Sequence, residues 1–222
     1  MESGISPRVK VQRHAERGNY DPGVIHAILD EAFICHVGFV VDGRPVVLPT
    51  IHARIGDDLY VHGAAANAMI GACDGRPVCV EVSLLDGLVL ARSVYNHSLN
   101  YRSVVVFGEA REVRDEQEKL RALTALVEHV LPGRSQGSRE PSPSELLITR
   151  VLRIPISEAS AKVRQGQVSD AEKDMDLPYW AGVVPLRIVA DEPEPDPALA
   201  PGIPEPDNVR PERVMARATH RP

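Results

Sequence analysis

Residues 34–55, ICHVGFVVDGRPVVLPTIHARI, decide the fold. An apolar run from Ile34 to Val41 stops at Asp42-Gly43, and a second apolar run follows at once. Asp-Gly between two such runs marks a two-residue hairpin, because both turn residues must take positive φ. Strands joined in this way are antiparallel. The return strand, expected over Arg44 to Ile55, contains Pro45 and Pro49. Proline has no N–H to give to a ladder, so this strand should be an edge, bulged, or open towards a ligand.

Upstream, residues 1–20 are polar and basic and are expected to form an arm. Asp21-Pro22 has the form of an N-cap and first helical residue. Val24, Ile25, Ile28, Leu29 and Ala32 follow at helical spacing. Downstream, Gly56-Asp57-Asp58 turns the chain into a strand at Leu59–His62, and a short helix is expected from about Ala65 to Cys73. The Val-rich run Arg76 to Leu85 reads as a strand, Asp86-Gly87 as a second hairpin turn, and Leu88–Val94 as its partner. Tyr95 to Asn100 is polar and loop-like. Ser103–Phe107 is an apolar strand reaching about Val113. Asp115 opens a helix whose Leu120, Leu123, Leu126, Val127, Val130 and Leu131 form one apolar face. Ser142-Pro143-Ser144-Glu145 has the form of a capping box, and Val151 to Val163 reads as one long strand. Six or seven strands joined mostly by hairpins, with three or four helices at the margins, give an α+β chain with a barrel-like antiparallel sheet, which disposes of exposed edges by near-closure.

The chain has 222 residues, 43% of them hydrophobic, and a net charge of −6. That is enough for one domain with a real core. The negative balance argues against a nucleic-acid footprint. Cys35, Cys73 and Cys79 are odd in number and never spaced C-x-x-C, so reduced thiols are expected. The first residues contain no apolar signal core and no apolar run approaches membrane-spanning length, so a cytoplasmic chain without membrane partners is the expectation. Eight of the 19 prolines lie between Pro193 and Pro222, among acidic residues. Such a composition cannot bury a core alone. The expected division is an arm over 1–20, a domain over 21–189, and a tail over 190–222 that is disordered or lies on a partner.

Four groups of residues could carry chemistry. The corner YVHGAAANAMI (60–70) runs from strand through Gly63 to a helix start, where free N–H groups and the helix dipole favour an anion. Equally, Gly63 and its alanines could only pack a tight corner. The segment RSVYNHSLNYRS (92–103) concentrates hydroxyls, amides, a histidine and two arginines beside an apolar strand; Arg102 could fork onto a phosphate and Ser103 could bond a ligand edge. A solvated loop bonded to its own backbone explains it as well. His36, His52, His62 and His97 match no zinc spacing. Lys162 and Arg164, with Trp180, the only tryptophan, complete the candidates.

In order and spacing, the runs RGNYD (17–21), HAILDEAFICHVGFVVDGRPVVLPT (26–50), LYVHG (59–63), LLDGLVLARS (84–93), NHSLNYRSVVVFG (96–108), EASAKVR (158–164) and WAGVVPL (180–186) resemble the pyridoxamine 5′-phosphate oxidase-like family, in its flavin-nucleotide-binding and nitroimidazole-resistance branch. The resemblance spans about Arg13 to Leu186. It implies an antiparallel split β-barrel with peripheral helices that forms a homodimer and binds FMN at the dimer interface. It implies that Leu48, Pro49, Thr50 and Ile51 run beside the flavin ring. His62, Gly63, Ala66 and Asn67 would hold the phosphate, and Asn100, Tyr101, Arg102 and Ser103 would add polar contacts. Lys162 and Trp180 would approach from the C-terminal part. Relatives usually carry Ser and then a Ser-Arg or Ser-Lys pair after the His-Gly; here Ala64, Asn67 and Ala68 stand there. Backbone amides, Asn67 and Arg102 are expected to compensate. The implied activity is an FMN-dependent oxidoreductase acting on a small molecule; the alternative is a binder of flavin, deazaflavin or haem without turnover.

Overall fold

The hairpin turn forms with Asp42 at φ 48° and Gly43 at φ 74°, as a two-residue turn requires. It joins β2 (Cys35–Val41) to β3 (Arg44–Thr50), in continuous antiparallel register from Cys35 opposite Thr50 to Val41 opposite Arg44. In this computed structural model, residues 6–65 and 67–216 are described. The remaining strands are β1 (Gly18–Asn19), β4 (His52–Ile55), β5 (Asp58–Ala64), β6 (Arg76–Leu90), β7 (Ser98–Glu112), β8 (Thr149–Pro155), β9 (Glu158–Arg164) and β10 (Gly182–Pro185). The helices are α1 (Pro22–Glu31), α2 (Ala68–Cys73), α3 (Glu116–Val130), α4 (Pro143–Ile148) and α5 (Pro211–Met215).

The main path of the sheet runs β3-β2-β6-β7-β8-β5-β4, with β9 joining β1 to β7 and β10 lying on β6. Every pairing is antiparallel. The two ends of that path, β3 and β4, are separated in sequence by Ile51 alone. The ends are therefore adjacent in space yet unpaired. The sheet closes on itself except for one gap, and that gap is the split of an antiparallel split barrel.

Alternate residues fill the interior, as the period of two dictates. Val37, Val80, Val82, Val104, Val106, Leu152 and Ile154 have no exposed surface. Asp21 caps α1 through the N–H of Val24, and Ile25, Ile28 and Leu29 seal one side of the barrel. Met69, Ile70 and Cys73 of α2 join the same core. Ala122 of α3 packs with Tyr60, Val113 and Val151 in a second, smaller cluster.

Several expectations from sequence are corrected. The return strand is not continuous from Arg44 to Ile55; it breaks at Ile51, where the chain crosses the split. Asp86-Gly87 makes no hairpin. β6 runs straight through it with a register shift, because Asp86 is engaged by Arg102 and Gly87 is paired to β10, leaving the Val184 carbonyl 3.1 Å from where a Cβ would stand. β7 begins at Ser98, inside the segment expected as a loop. The last long strand is two, β8 and β9, separated at Ile156-Ser157. Among the described residues the strands number ten rather than six or seven. Among the described residues, parts of both terminal segments touch the rest of the chain: β1 pairs with β9, Val9 is buried, and the Asn208 amide donates to the Pro132 carbonyl.

Candidate functional site

The corner after β5 is tighter than its composition suggested. Asn67 caps α2, which starts at Ala68 rather than at about Ala65; its side-chain oxygen accepts from the Met69 N–H at 2.9 Å. A Cβ on Gly63 would stand 2.8 Å from the Asn67 amide nitrogen and 3.1 Å from Ile70. Gly63 is thus required for close packing of this cap. Ala66 lies outside the described residues. Asn67 spends its carbonyl oxygen on its own helix.

Arg102 is not a free cation. It lies in register with Val104 and Val106 on the inward face of β7 and is 4% exposed. Its Nε and Nη2 donate to Asp86 at 2.9 and 2.8 Å, its Nη2 also donates to Glu31 at 2.8 Å, and its Nη1 to the other Glu31 oxygen. Two carboxylates saturate the fork and outweigh its charge, and these bonds, Glu31 first, hold the guanidinium proton more tightly than usual. The expected compensation of the corner by Arg102 is therefore not what the structure displays. Arg102 lines a cavity of about 810 Å3, whereas His62 lines another of about 870 Å3, and the two share no residue.

The neighbours of Arg102 are also bonded locally. The Asn100 amide donates to the Gly166 carbonyl and its oxygen accepts from Arg164 at 2.5 Å. The Ser103 hydroxyl reaches the Lys162 carbonyl at 3.4 Å, and Lys162 Nζ donates to the Arg13 carbonyl. Tyr101 pairs with Leu85 and Arg164. Tyr101, Ser103 and Lys162 thus share a β7–β9 face, three strands from β3, about 14 Å along the sheet at the usual strand spacing, while Asn100 lies on the same row as Arg102.

Leu48, Pro49 and Thr50 lie on β3 at the edge of the sheet, and Ile51 follows in the split. Val47 is 62% exposed, and Leu48 and Ile51 are also exposed. Trp180 is 67% exposed; its ring lies against Gly182, where a Cβ would come within 2.9 Å of it. Neither the 870 Å3 nor the 810 Å3 cavity is lined by Leu48, Tyr101, Ser103, Lys162 or Trp180.

The 870 Å3 cavity was not visible in the sequence. Ile51 and His62 form one side, Leu120, Leu123 and Val127 of α3 another, and Arg134 belongs to the loop that closes it. Burial pushes the His62 pKa down, and its Nδ1 is buried with no hydrogen-bond partner among the described residues. The other histidines are engaged. His52 Nε2 bonds the Leu29 carbonyl and its ring lies 4.6 Å from that of His129. His97 Nδ1 accepts from the Ala91 N–H, and His36 faces Glu81. No group of three or more His, Cys, Asp or Glu able to hold a bare metal ion occurs among the described residues. Cys35 and Cys73 are buried and Cys79 partly so, all free, with burial pushing the Cys35 thiol up to about 12. No helix among the described residues is long and apolar enough to cross a membrane.

The pyridoxamine 5′-phosphate oxidase family profile matches residues 21–163. No curated protein matches the chain. Among solved structures, the flavocytochrome Anf3 from Azotobacter vinelandii is 41% identical, with 92% of this chain and 95% of that one covered and a TM-score of 0.88. The FAD and haem binding protein from Mycobacterium smegmatis is 34% identical, with 87% and 95% covered and a TM-score of 0.83. A putative 5-nitroimidazole antibiotic resistance protein from Bacteroides thetaiotaomicron, 24% identical over 66% of this chain and 86% of its own, shares the fold at a TM-score of 0.55. On the strength of the profile match and of two likenesses above 30% identity that run nearly end to end, the chain belongs to the pyridoxamine 5′-phosphate oxidase family.

Proposed function

We propose that this protein is a flavin-binding redox protein that also carries haem and works as a pair of chains. The observation that carries the reading is the nearly full-length likeness, at 41% and 34% identity, to a flavocytochrome and to an FAD and haem binding protein. Flavin and haem supply the redox chemistry when bound, and the chain's part is to hold, orient and screen them.

The β3 edge suits a flavin ring. It offers unpaired backbone polar groups along one side of an exposed apolar strip at Val47 and Leu48. The polar residues of the β7–β9 face, three strands away, do not close over that strip within one chain. A second copy would bring them there, and this supports a homodimer with the flavin between chains. The corner at Gly63–Asn67 bears on which flavin is held. A monophosphate ester carries a charge of about −1.5 to −2 and wants several donors. Here the Met69 N–H is taken by the Asn67 oxygen, the N–H groups of Ala65 and Asn67 are bonded to the Ile148 and Ala64 carbonyls, and Arg102 is saturated, so few donors remain for a phosphate. FAD spreads its charge over two phosphates and adds adenosine contacts, so FAD is the first reading and FMN the second.

Denaturing the purified protein and chromatographing the released flavin tests this. FAD is the expected product. FMN would establish the second reading, and the absence of any flavin, together with no uptake of added FAD or FMN, would overturn both. Bleaching of the bound flavin by reduced nicotinamide would place the protein among oxidoreductases acting on small molecules. Stable binding without bleaching by any small donor would place it among carriers.

A further inference from the structure

We infer that His62 is the axial haem ligand and that the porphyrin occupies the cavity of about 870 Å3 beneath α3, beside the split of the barrel. The inference rests on the haem reading above and adds to it a place and a ligand.

Three independent features of this cavity converge. The first is the imidazole. Haem iron is commonly held by a histidine, and a ligand histidine must present a neutral ring. Among the described residues, His62 is the histidine that combines a ring without a protein partner with a place on a cavity wall. The rest carry hydrogen bonds, ring contacts or carboxylate neighbours. Its Nδ1 is buried, so Nε2 is the nitrogen left to meet an iron, and no hydrogen bond among the described residues competes for it.

The second feature is the wall. Leu120, Leu123, Val127 and Ile51 line the cavity with hydrocarbon. Val127 and Val130 remain exposed although they lie on the apolar face of α3. That face is wider than the protein core uses, since only Ala122 and Leu126 of α3 are buried. The unused width lies over the cavity. Its volume falls within the range of about 300–1,000 Å3 usual for cofactor sites.

The third feature is charge. Haem carries two propionates. Arg134 lines the cavity, is exposed, and its guanidinium takes part in no ion pair or hydrogen bond among the described residues. Arg139, also on the wall, is already paired with Glu145 at 2.6 Å. Arg134 is therefore the cation available to a propionate. Ile51 joins this site to the flavin edge: Leu48 lies only three residues of extended chain away, about 10 Å.

The test uses the full-length chain with ferric protoporphyrin IX as the probe, followed by absorbance and electron paramagnetic resonance. Wild type should take up one haem per chain with the signature of histidine ligation. His62→Ala should weaken uptake by about a hundredfold or more, since even residues that only orient ligands cost 10–100-fold. Added imidazole should restore the spectrum of that variant, which a merely unfolded protein would not permit. A second variant, Val127→Trp, fills the cavity without touching the ligand and should exclude haem while flavin remains bound. If wild type binds haem and His62→Ala binds it equally well with the same spin state, His62 is not the ligand and the inference falls while the haem reading stands. If wild type takes up no haem, both fall together.

Discussion

Arg102 sits on the inward row of β7, two residues from Val104 and four from Val106, and it is this row, not the loop before it, that decides its role. A buried guanidinium must be matched, and Glu31 and Asp86 match it with a bidentate set on each side. Removing one member of a buried ion pair costs about 3–5 kcal/mol, because the partner charge is left uncompensated. Arg102→Ala, which strands two carboxylates against each other, is expected to lose at least that much in urea unfolding, and Arg102→Lys is expected to recover little of it because an ammonium cannot form both forks. The burial of Arg102 was not read from the sequence, because the strand was expected to start at Ser103 and actually starts at Ser98, which brings position 102 into the inward row. Nor were its partners, since Glu31 ends a helix and Asp86 looked like half of a turn. His62 makes a second prediction at this scale. Burial lowers its pKa, so below the ordinary value of about 6.5 the unfolded chain takes a proton that the folded chain refuses. Stability is therefore full above that pH and falls as pH drops through it. His62→Gln should flatten this part of the stability profile between about pH 7.5 and 5.5, measured as the difference from wild type.

Among the elements, the corner between β5 and α2 is the place where sequence raised a question and structure answered it. The strand–glycine–helix layout was legible; that the glycine serves Asn67 was not, because it depends on the distance between a missing Cβ and an amide. Gly63→Ala is expected to displace the Asn67 cap and cost about 1–3 kcal/mol, the range for overpacking a tight site, measured by thermal unfolding. At the other end of the 870 Å3 cavity, the capping box of α4 was legible in full: the Glu145 N–H donates to the Ser142 hydroxyl at 3.3 Å and the Ser142 N–H to the Glu145 carboxylate at 2.7 Å. Its bonds with Arg139 and Ser142 hold the Glu145 carboxyl down at about 2. The support it gives is complete above the usual carboxylate range and is lost as pH falls towards that value. Ser142→Ala should cost about 1 kcal/mol and raise amide exchange across residues 142–148. The failed hairpin at Asp86-Gly87 marks the limit of turn signals. Two residues that favour a turn stay in a strand when one is held by a buried arginine and the other is paired to β10.

In the whole molecule, the near-closure of the barrel followed from counting hairpins, whereas the site of the split did not. It depends on β3 and β4 ending up at opposite ends of the sheet path although one residue separates them. The split gathers the exposed β3 edge, Ile51 and the His62 cavity on one flank, and leaves the β7–β9 polar face out of reach within the chain. A dimer is thus the expected working unit. Leu48→Glu places a charge on the strip proposed to face the flavin and a second copy; light scattering should show monomers, and flavin should be lost with the dimer. A variant that stays dimeric and keeps its flavin would remove β3 from the interface. The chain's central claim is that flavin and haem share one folded body. The most direct test is a stepwise dithionite titration of the purified, haem-supplied protein, followed across the visible spectrum. The account predicts a flavin band that bleaches and a Soret band that shifts, both in a species of dimer mass. A protein that remains colourless after incubation with both flavin and haem would contradict it.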